Sequence, residues 1–166
     1  MVQVTFNQDP VTLKGQEMKV GDKAPNFTVL SNDLQEVSLD DYKGKVKLIA
    51  AVPSVDTDVC SQETRRFNEE AAQLDNVQVL TISMDLPFAQ QRWCAANGIE
   101  NLDTLSDHRD ADFGEKYGVL MQELRLLARS IFVVDSNDNV TYVEYVSEVT
   151  NEPDYQQALE AARKAE

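Results

Sequence analysis

Continuous and alternating runs of hydrophobic residues divide the chain into predicted strands and helices. Residues 46–52 (VKLIAAV) and 77–84 (VQVLTISM) are apolar almost throughout, which predicts two strands that are buried on both faces of a sheet. Between them, residues 58–74 place Phe67 and Leu74 on one face of a helix. A strand, a helix and a second strand in this order predict a parallel pair joined by a crossover.

Shorter patterns and turn residues predict the remaining elements. Residues 2–6 and 11–15 form a hairpin around the turn at 7–10, and Gly98 ends a helix over 86–97. The other predicted elements are strands at 25–31, 36–40 and 102–107, irregular or edge structure over 113–127, a hairpin of 129–135 with 139–146, and a terminal helix over 152–166, with Asn151 or Glu152 near its cap and Pro153 in its first turn. The order predicts an α/β protein with a thioredoxin-like fold: a mixed β-sheet flanked by helices, plus an N-terminal β-hairpin, in one domain over 1–166.

Composition narrows the classes of function. The chain has 166 residues and a formal net charge of −14. A surface this acidic repels phosphate, so we expect no nucleic-acid partner and no docking to anionic membranes. The first 16 residues lack a basic segment followed by a long apolar one, and no run reaches the about 20 apolar residues of a membrane span. These observations predict a cytoplasmic protein.

The octapeptide PSVDTDVC, residues 53–60, places one of only two cysteines where a strand leads into a helix. If the helix begins near residue 58, Thr57 is its N-cap and Cys60 lies in the first turn, where unpaired N–H groups and the helix dipole favour a thiolate. Pro53 fixes the exit of the chain from the strand and shields one side. The octapeptide therefore predicts an exposed thiolate on a rigid turn.

The second cysteine and a distant arginine complete the candidate chemistry. Cys94 lies near the C-terminal end of its predicted helix, where the dipole disfavours an anion, so we expect it to be half-buried and to react after Cys60. Asp56 and Asp58 oppose thiolate formation by charge repulsion, and Arg129, at the start of an apolar strand, is the best candidate for the compensating cation. Residues alone leave open that the cysteines are buried hydrophobes and that Arg129 is a surface residue.

The combination resembles a known family. Pro53, Thr57 and Cys60 match the peroxiredoxin pattern P-x-x-x-T-x-x-C, and Arg129 matches its distant arginine. Further stretches are similar to the bacterial thiol peroxidase subgroup, which is of the atypical two-cysteine type: residues 53–71, 83–99, 105–120 and 123–135, and the hairpin ending in VTLKG. The resemblance covers nearly the whole chain.

The resemblance implies a mechanism and partners. Cys60 is expected to be the peroxidatic nucleophile, supported by Thr57, Arg129 and Pro53, and Cys94 the resolving cysteine that forms an intramolecular disulfide with Cys60. Substrates would be hydrogen peroxide and alkyl or lipid hydroperoxides, the reductant thioredoxin, and the assembly a homodimer, with no cofactor and no metal. Apolar residues expected around the site are Leu86, Pro87, Phe88 and Leu120.

Other functions fit these residues less well. A thiol–disulfide oxidoreductase normally has two cysteines separated by two residues, whereas Cys60 and Cys94 are 34 positions apart. A thioredoxin-fold binding or chaperone module would not need Cys60 at all. A cysteine–histidine hydrolase would depend on His108, which lies in a charged loop, and zinc is disfavoured by the lack of a C-x-x-C pair. The run Asp135-x-Asn137-x-Asn139 begins like a calcium loop, but Val140 and Val146 stand where that loop requires glycine and glutamate, so the run predicts a hairpin turn.

Overall fold

A seven-stranded mixed sheet forms the centre of the molecule. The computed structural model describes residues 2–165, except for the side chain of Ala71. Its strands are β1 (Val4–Phe6), β2 (Asp9–Val11), β3 (Leu13–Lys14), β4 (Thr28–Leu30), β5 (Glu36–Ser38), β6 (Val46–Ala51), β7 (Val77–Ser83), β8 (Asp103–Ser106), β9 (Leu120–Met121), β10 (Leu126–Leu127), β11 (Ser130–Val134) and β12 (Val140–Tyr145). Seven of them follow the order β12-β11-β6-β7-β8-β4-β5 across the large sheet.

The two continuous apolar runs lie at the middle of this sheet, as predicted. β6 pairs in parallel with β7, from Val46 opposite Val77 to Ala51 opposite Ile82, and β7 pairs in parallel with β8. All six residues of β6 are buried. They include Lys47, whose Nζ donates to Asp138 Oδ1 at 2.7 Å, so the buried ammonium group is neutralised by a partner. β11 and β12 form the predicted hairpin beside β6, which makes the sheet mixed.

Among residues 2–165, four α-helices pack around the sheet: α1 (Asp58–Ala71), α2 (Pro87–Asn97), α3 (Asp112–Lys116) and α4 (Tyr155–Lys164); a short 3-10 helix covers Leu39–Tyr42. α1 begins at the predicted residue, and Gly98 ends α2 in the left-handed conformation with φ 66°. The predicted cap of α4 at Asn151 or Glu152 is wrong. Asp154 is the N-cap, and its carboxylate accepts from the Gln157 N–H, which satisfies one of the unpaired N–H groups of the first turn. The helix therefore begins at Tyr155, and Pro153 precedes the cap instead of lying in the first turn.

The N-terminal hairpin is shorter than predicted. Its predicted second strand, 11–15, is divided between two sheets. β1 and β2 form the hairpin, whereas β3 leaves it and pairs with β9. β10 completes this three-stranded sheet, so the segment 113–127, predicted as irregular or edge structure, contributes one short helix and two short strands. The sequence from Asp135 is the predicted turn, with Oδ1 accepting from the N–H groups of Asn137 and Asn139.

Hydrophobic residues pack on both faces of the large sheet. On one face Val46, Leu48 and Ala50 of β6 pack with residues of α1, α2 and α4, and on the other Ile49 and Ala51 pack with an aromatic cluster. The alternation follows the two-residue period of a strand. Of the helices described, none is long and apolar enough to cross a membrane.

Candidate active site

The loop from residue 52 to 57 carries the chain from β6 into α1, and a carboxylate fixes it. Asp85, which follows β7, accepts from the Ser54 hydroxyl at 2.7 Å and from the Val55 N–H at 2.9 Å. Since parallel β6 and β7 end at the same edge of the sheet, Asp85 lies next to this loop. The loop is therefore held in one conformation, and Pro53 within it is buried. Sequence reasoning missed Asp85.

Thr57 is the N-cap of α1, as predicted. Its φ and ψ of −79° and 151° are extended, and its Oγ1 accepts from the Cys60 N–H at 3.2 Å. The same hydroxyl donates to the Ser54 carbonyl at 3.3 Å. Thr57 therefore holds the backbone of Cys60, while its own proton is engaged in the loop rather than directed at the sulfur.

Cys60 is buried, with 0 % of its surface exposed, so the expectation of an exposed thiolate is wrong. Residues that are distant in the chain cover the sulfur: Arg129, itself 2 % exposed, donates from Nη2 to Cys60 Sγ at 3.1 Å. Asp56 and Asp58 are exposed. Their carboxylates are thus screened by water, while the guanidinium acts on the sulfur at short range in a less polar environment.

All three sides of the Arg129 guanidinium have a partner. Besides the bond to Cys60, Nη1 donates to Glu63 Oε1 at 2.8 Å and Nε donates to the Val149 carbonyl at 2.8 Å. Burial opposes the charged form, but the charges of Glu63 and Cys60 outweigh it and raise the pKa of Arg129. The side chain is a fixed cation with a fixed orientation, as predicted from its place at the start of an apolar strand.

Glu63 belongs to this cluster, although sequence reasoning assigned it no role. Its side chain is 0 % exposed, and Oε2 has no hydrogen-bond partner among the described residues. Desolvation by burial raises the pKa of Glu63 to about 7, against the opposing effect of Arg129. The available signal was its position three residues after Cys60, because residues at i and i+3 share one face of a helix.

Cys94 lies on α2 in a different environment and is half-buried, as predicted. Its Sγ is 3.3 Å from the Thr104 hydroxyl, which in turn donates to Asn32 Oδ1 at 3.2 Å. Either the thiol or the Thr104 hydroxyl can donate in the first bond. Burial raises the pKa of Cys94, in line with a protonated thiol.

The structure brings together four of the five predicted site residues. Pro53, Thr57 and Arg129 line a cavity of about 130 Å³ beside Cys60, whereas Cys94 borders a separate cavity of about 270 Å³. The remaining residues that line the first cavity are Phe6, Asp58, Val59, Val149 and Thr150.

The apolar residues expected around the site are not the ones that line this cavity. Leu86 and Phe88 are 53 % and 64 % exposed, and neither Pro87 nor Leu120 borders the cavity. The apolar wall comes instead from Phe6 of the N-terminal hairpin and Val149 after β12, which the topology brings to the site. Within residues 2–165, no group of three or more Cys, His, Asp or Glu side chains is arranged to hold a metal ion.

The arrangement suits nucleophilic chemistry at sulfur. It combines a buried cysteine in the first turn of a helix, a fixed cation in contact with the sulfur, and a small cavity that one substrate group could fill. The hydrogen bonds described for Cys60 join it to Thr57, Thr64 and Arg129. His108, on which the hydrolase would depend, is not among these partners.

Comparison with known proteins gives consistent matches. The Redoxin family matches residues 19–159. The chain is 68 % identical over 164 residues to a thiol peroxidase of Oceanobacillus iheyensis, covering 99 % of this chain and 100 % of the relative, and 66 % identical over 165 residues to one of Halalkalibacterium halodurans, covering 99 % of each. A crystal structure of a peroxiredoxin-like protein from Aquifex aeolicus superposes with a TM-score of 0.94 at 43 % identity, covering 99 % of this chain and 98 % of the other.

Proposed function

The chain belongs to the Redoxin family as a thiol peroxidase of the peroxiredoxin type, and from that premise we propose that it reduces hydroperoxides through Cys60, with Cys94 as the resolving cysteine and thioredoxin as the reductant. The observation that carries the assignment of the nucleophile is the contact between Arg129 Nη2 and Cys60 Sγ at 3.1 Å in a buried site. The proposal treats residues 1–166 as one cytoplasmic domain that acts as a homodimer.

The first step is a displacement at oxygen. The Cys60 thiolate attacks the terminal oxygen of the hydroperoxide, a sulfur–oxygen bond forms, and the oxygen–oxygen bond breaks. The leaving oxygen carries the electron pair away as an alkoxide or hydroxide and takes up a proton to give an alcohol or water, while Cys60 becomes a sulfenic acid. Arg129 is placed to stabilise negative charge both on the sulfur and on the departing oxygen.

The second step returns the site to the thiol state. The Cys94 sulfur attacks the sulfenic sulfur of Cys60, water leaves, and a disulfide forms. Thioredoxin then reduces this disulfide by thiol exchange and becomes oxidised itself. The order of attack follows from the two environments: Cys60 is in contact with a cation, whereas Cys94 is held as a hydrogen-bonded thiol whose pKa is raised by burial.

The cavity beside Cys60 supports organic hydroperoxides as substrates in addition to hydrogen peroxide. Phe6, Pro53, Val59 and Val149 give it an apolar wall next to the polar group of Arg129. A hydroperoxide with an apolar group could place its oxygens at Arg129 and its carbon atoms against this wall.

The test is peroxide-dependent NADPH oxidation coupled through thioredoxin and its reductase, with wild type, Cys60→Ser and Cys94→Ser. We expect steady turnover only in wild type, and one sulfenic-acid-forming turnover in Cys94→Ser. Turnover that survives in Cys60→Ser would overturn the mechanism. A Cys94→Ser protein that cannot form the sulfenic acid would reverse the roles of the two sulfurs.

The same variants separate the other two functions. A thiol–disulfide oxidoreductase would reduce a model disulfide substrate faster than it reduces peroxide. A binding or chaperone module would retain its activity in Cys60→Ser, because it would not use the sulfur.

A further inference from the structure

Glu148, in the segment that follows β12, ties the N-terminal hairpin to the active site. Its Oε1 accepts from the Thr5 hydroxyl at 2.8 Å and the Gln8 N–H at 2.7 Å. Its Oε2 accepts from the Asn7 N–H at 3.2 Å and from both the N–H and the hydroxyl of Thr150, at 3.0 and 2.6 Å. One carboxylate thus joins the turn of the hairpin to the segment that lines the cavity.

The hairpin turn is shaped for this carboxylate. Asn7 and Gln8 both adopt the left-handed region, with φ of 51° and 72°, which is the geometry of a tight two-residue hairpin turn. In this turn both N–H groups point at Glu148. The strand beside it continues the attachment, because the Thr5 N–H donates to the Ser147 carbonyl and the Val149 N–H donates to the Thr5 carbonyl, each at 2.8 Å.

The segment that Glu148 anchors also holds Arg129. The carbonyl of Val149, the next residue, accepts from Arg129 Nε at 2.8 Å. Because the guanidinium is planar, the position of this carbonyl sets the rotation of the whole group, and with it the direction in which Nη1 and Nη2 reach Glu63 and Cys60. A small shift of Val149 would therefore turn Nη2 away from the sulfur.

We propose that Glu148 is a positioning residue for the peroxidase reaction, which holds the Val149 carbonyl and through it the orientation of Arg129 toward Cys60. The inference rests on the proposed function, because it assigns a role in the reaction at Cys60. It gives the N-terminal hairpin a part in the chemistry: the hairpin supplies three of the donors that fix this carboxylate. Glu148 touches neither the sulfur nor the cavity, and the route proposed for its effect on Arg129 runs through the Val149 carbonyl.

A second carboxylate that binds the N-terminal segment provides a matched control. Glu123 accepts from the N–H and the hydroxyl of Thr12, each at 2.8 Å, and so attaches the other end of the hairpin to the turn between β9 and β10. Hydrogen bonds from Thr150 lower the pKa of Glu148 to about 2, and hydrogen bonds from Thr12 lower the pKa of Glu123. The two attachments are chemically alike, but only one adjoins Val149.

The test compares Glu148→Gln with Glu123→Gln, using hydrogen peroxide because it has no organic group that could contact the cavity wall. Stopped-flow measurement of Cys60 oxidation gives the second-order rate constant, and thermal unfolding gives the stability of each variant. We expect the rate constant to fall about tenfold in Glu148→Gln and to stay within twofold of wild type in Glu123→Gln. A Glu148→Gln rate within twofold of wild type, or an equal fall in both variants, would overturn the inference.

A double-mutant cycle with Arg129→Lys separates positioning from a general loss of structure. If Glu148 acts through Arg129, Glu148→Gln should change the rate less than twofold once Arg129 is lysine. A tenfold effect that persists in that background would count against the inference. Thr5→Val removes only one donor to Glu148 and is the variant to use if Glu148→Gln does not fold; we expect a fall of about threefold, and an unchanged rate would contradict the proposal.

Different results would disprove the peroxidase function and the role of Glu148. Wild type that does not react with hydrogen peroxide, or Cys60→Ser that still does, would remove the peroxidase assignment itself. Wild type that reacts through Cys60 while Glu148→Gln is unaffected would remove only the role of Glu148.

Discussion

At the scale of single residues, the site is one cation shared by two acids. Arg129 binds both Cys60 and Glu63, and all three are buried. If both acids were ionised, the cluster would carry a net negative charge in a poorly solvated place, which is costly. Burial raises the pKa of Glu63 to about 7, so below this pH the carboxyl is mostly protonated and leaves the charge of Arg129 to the thiolate.

We predict that Arg129→Lys lowers the rate constant for Cys60 oxidation by hydrogen peroxide about a hundredfold. This loss corresponds to about 2.7 kcal/mol of transition-state stabilisation. Lysine keeps the charge but cannot reach the sulfur, the carboxylate and the carbonyl together in one plane. Stopped-flow kinetics measures the rate. Arg109→Lys is the control, because Arg109 is 45 % exposed and binds only Glu36 and Asp110 at the surface; equal losses in both variants would contradict the prediction.

A second prediction concerns Glu63 and pH. The pKa of this carboxyl is about 7 in the folded protein against an ordinary value of 4.5, so between these pH values the folded state keeps a proton that the unfolded state has lost. Stability therefore falls as pH rises through this window, by up to about 3 kcal/mol from this group. Glu63→Gln removes the effect. The unfolding free energy of this variant, relative to that of wild type, should therefore increase as pH rises.

Urea denaturation at pH 4.5, 5.5, 6.5 and 7.5 measures this difference. Glu69→Gln, an exposed position on the same helix, controls for the substitution. A constant difference between wild type and Glu63→Gln across the series would show that Glu63 does not bind the proton as described.

At the scale of elements, the first turn of α1 and the helix α2 each hold one sulfur in a separate environment. The Cys60 N–H is bound by Thr57, and the Cys94 thiol is bound by Thr104. A disulfide requires the two Cα atoms to approach within about 4.4–6.8 Å. Because the two cysteines lie in regular turns of two different helices, we expect one of these turns to open when the disulfide forms.

We predict that oxidation by one equivalent of hydrogen peroxide increases amide hydrogen exchange in the first turn of α1 or in α2 around Cys94. Exchange in the buried strand β6 and in α4 should stay unchanged, since neither carries a cysteine. Mass-spectrometric exchange on reduced and oxidised protein measures this, with Cys94→Ser treated in the same way as the control. Identical exchange at both cysteines in reduced and oxidised wild type would rule out the opening.

At the scale of the whole molecule, the sheet assembles the site from segments far apart in the chain. Cys60 follows β6, Arg129 precedes β11, and β6 and β11 are neighbours in the sheet. Behind β11, on the face opposite α1, Phe132 is fully buried and packs with Tyr117 and Tyr145 at ring distances of 5.3 and 5.5 Å. This aromatic packing holds the strand that presents Arg129.

We predict that Phe132→Ala lowers the free energy of unfolding by about 3–5 kcal/mol, because it leaves a cavity in a packed core. Urea denaturation measures the loss. Phe88→Ala is the matched control, since Phe88 is 64 % exposed, and its effect should stay within about 0.5 kcal/mol. A loss in Phe132→Ala no larger than in Phe88→Ala would mean that the aromatic cluster does not stabilise the fold.

Local sequence patterns predicted the central strands and the start of α1. The runs at 46–52 and 77–84 predicted the central strands, and Thr57 predicted the cap three residues before Cys60, because hydrophobic period and capping depend on near neighbours. The place of Arg129 at the start of an apolar strand made it the candidate cation, and the resemblance to peroxiredoxins implied its role. Tertiary contacts, in contrast, bury Cys60, pair Glu63 with Arg129 and bring Glu148 to the N-terminal hairpin. These contacts join segments up to 143 positions apart, as between Thr5 and Glu148, and no local pattern specifies them.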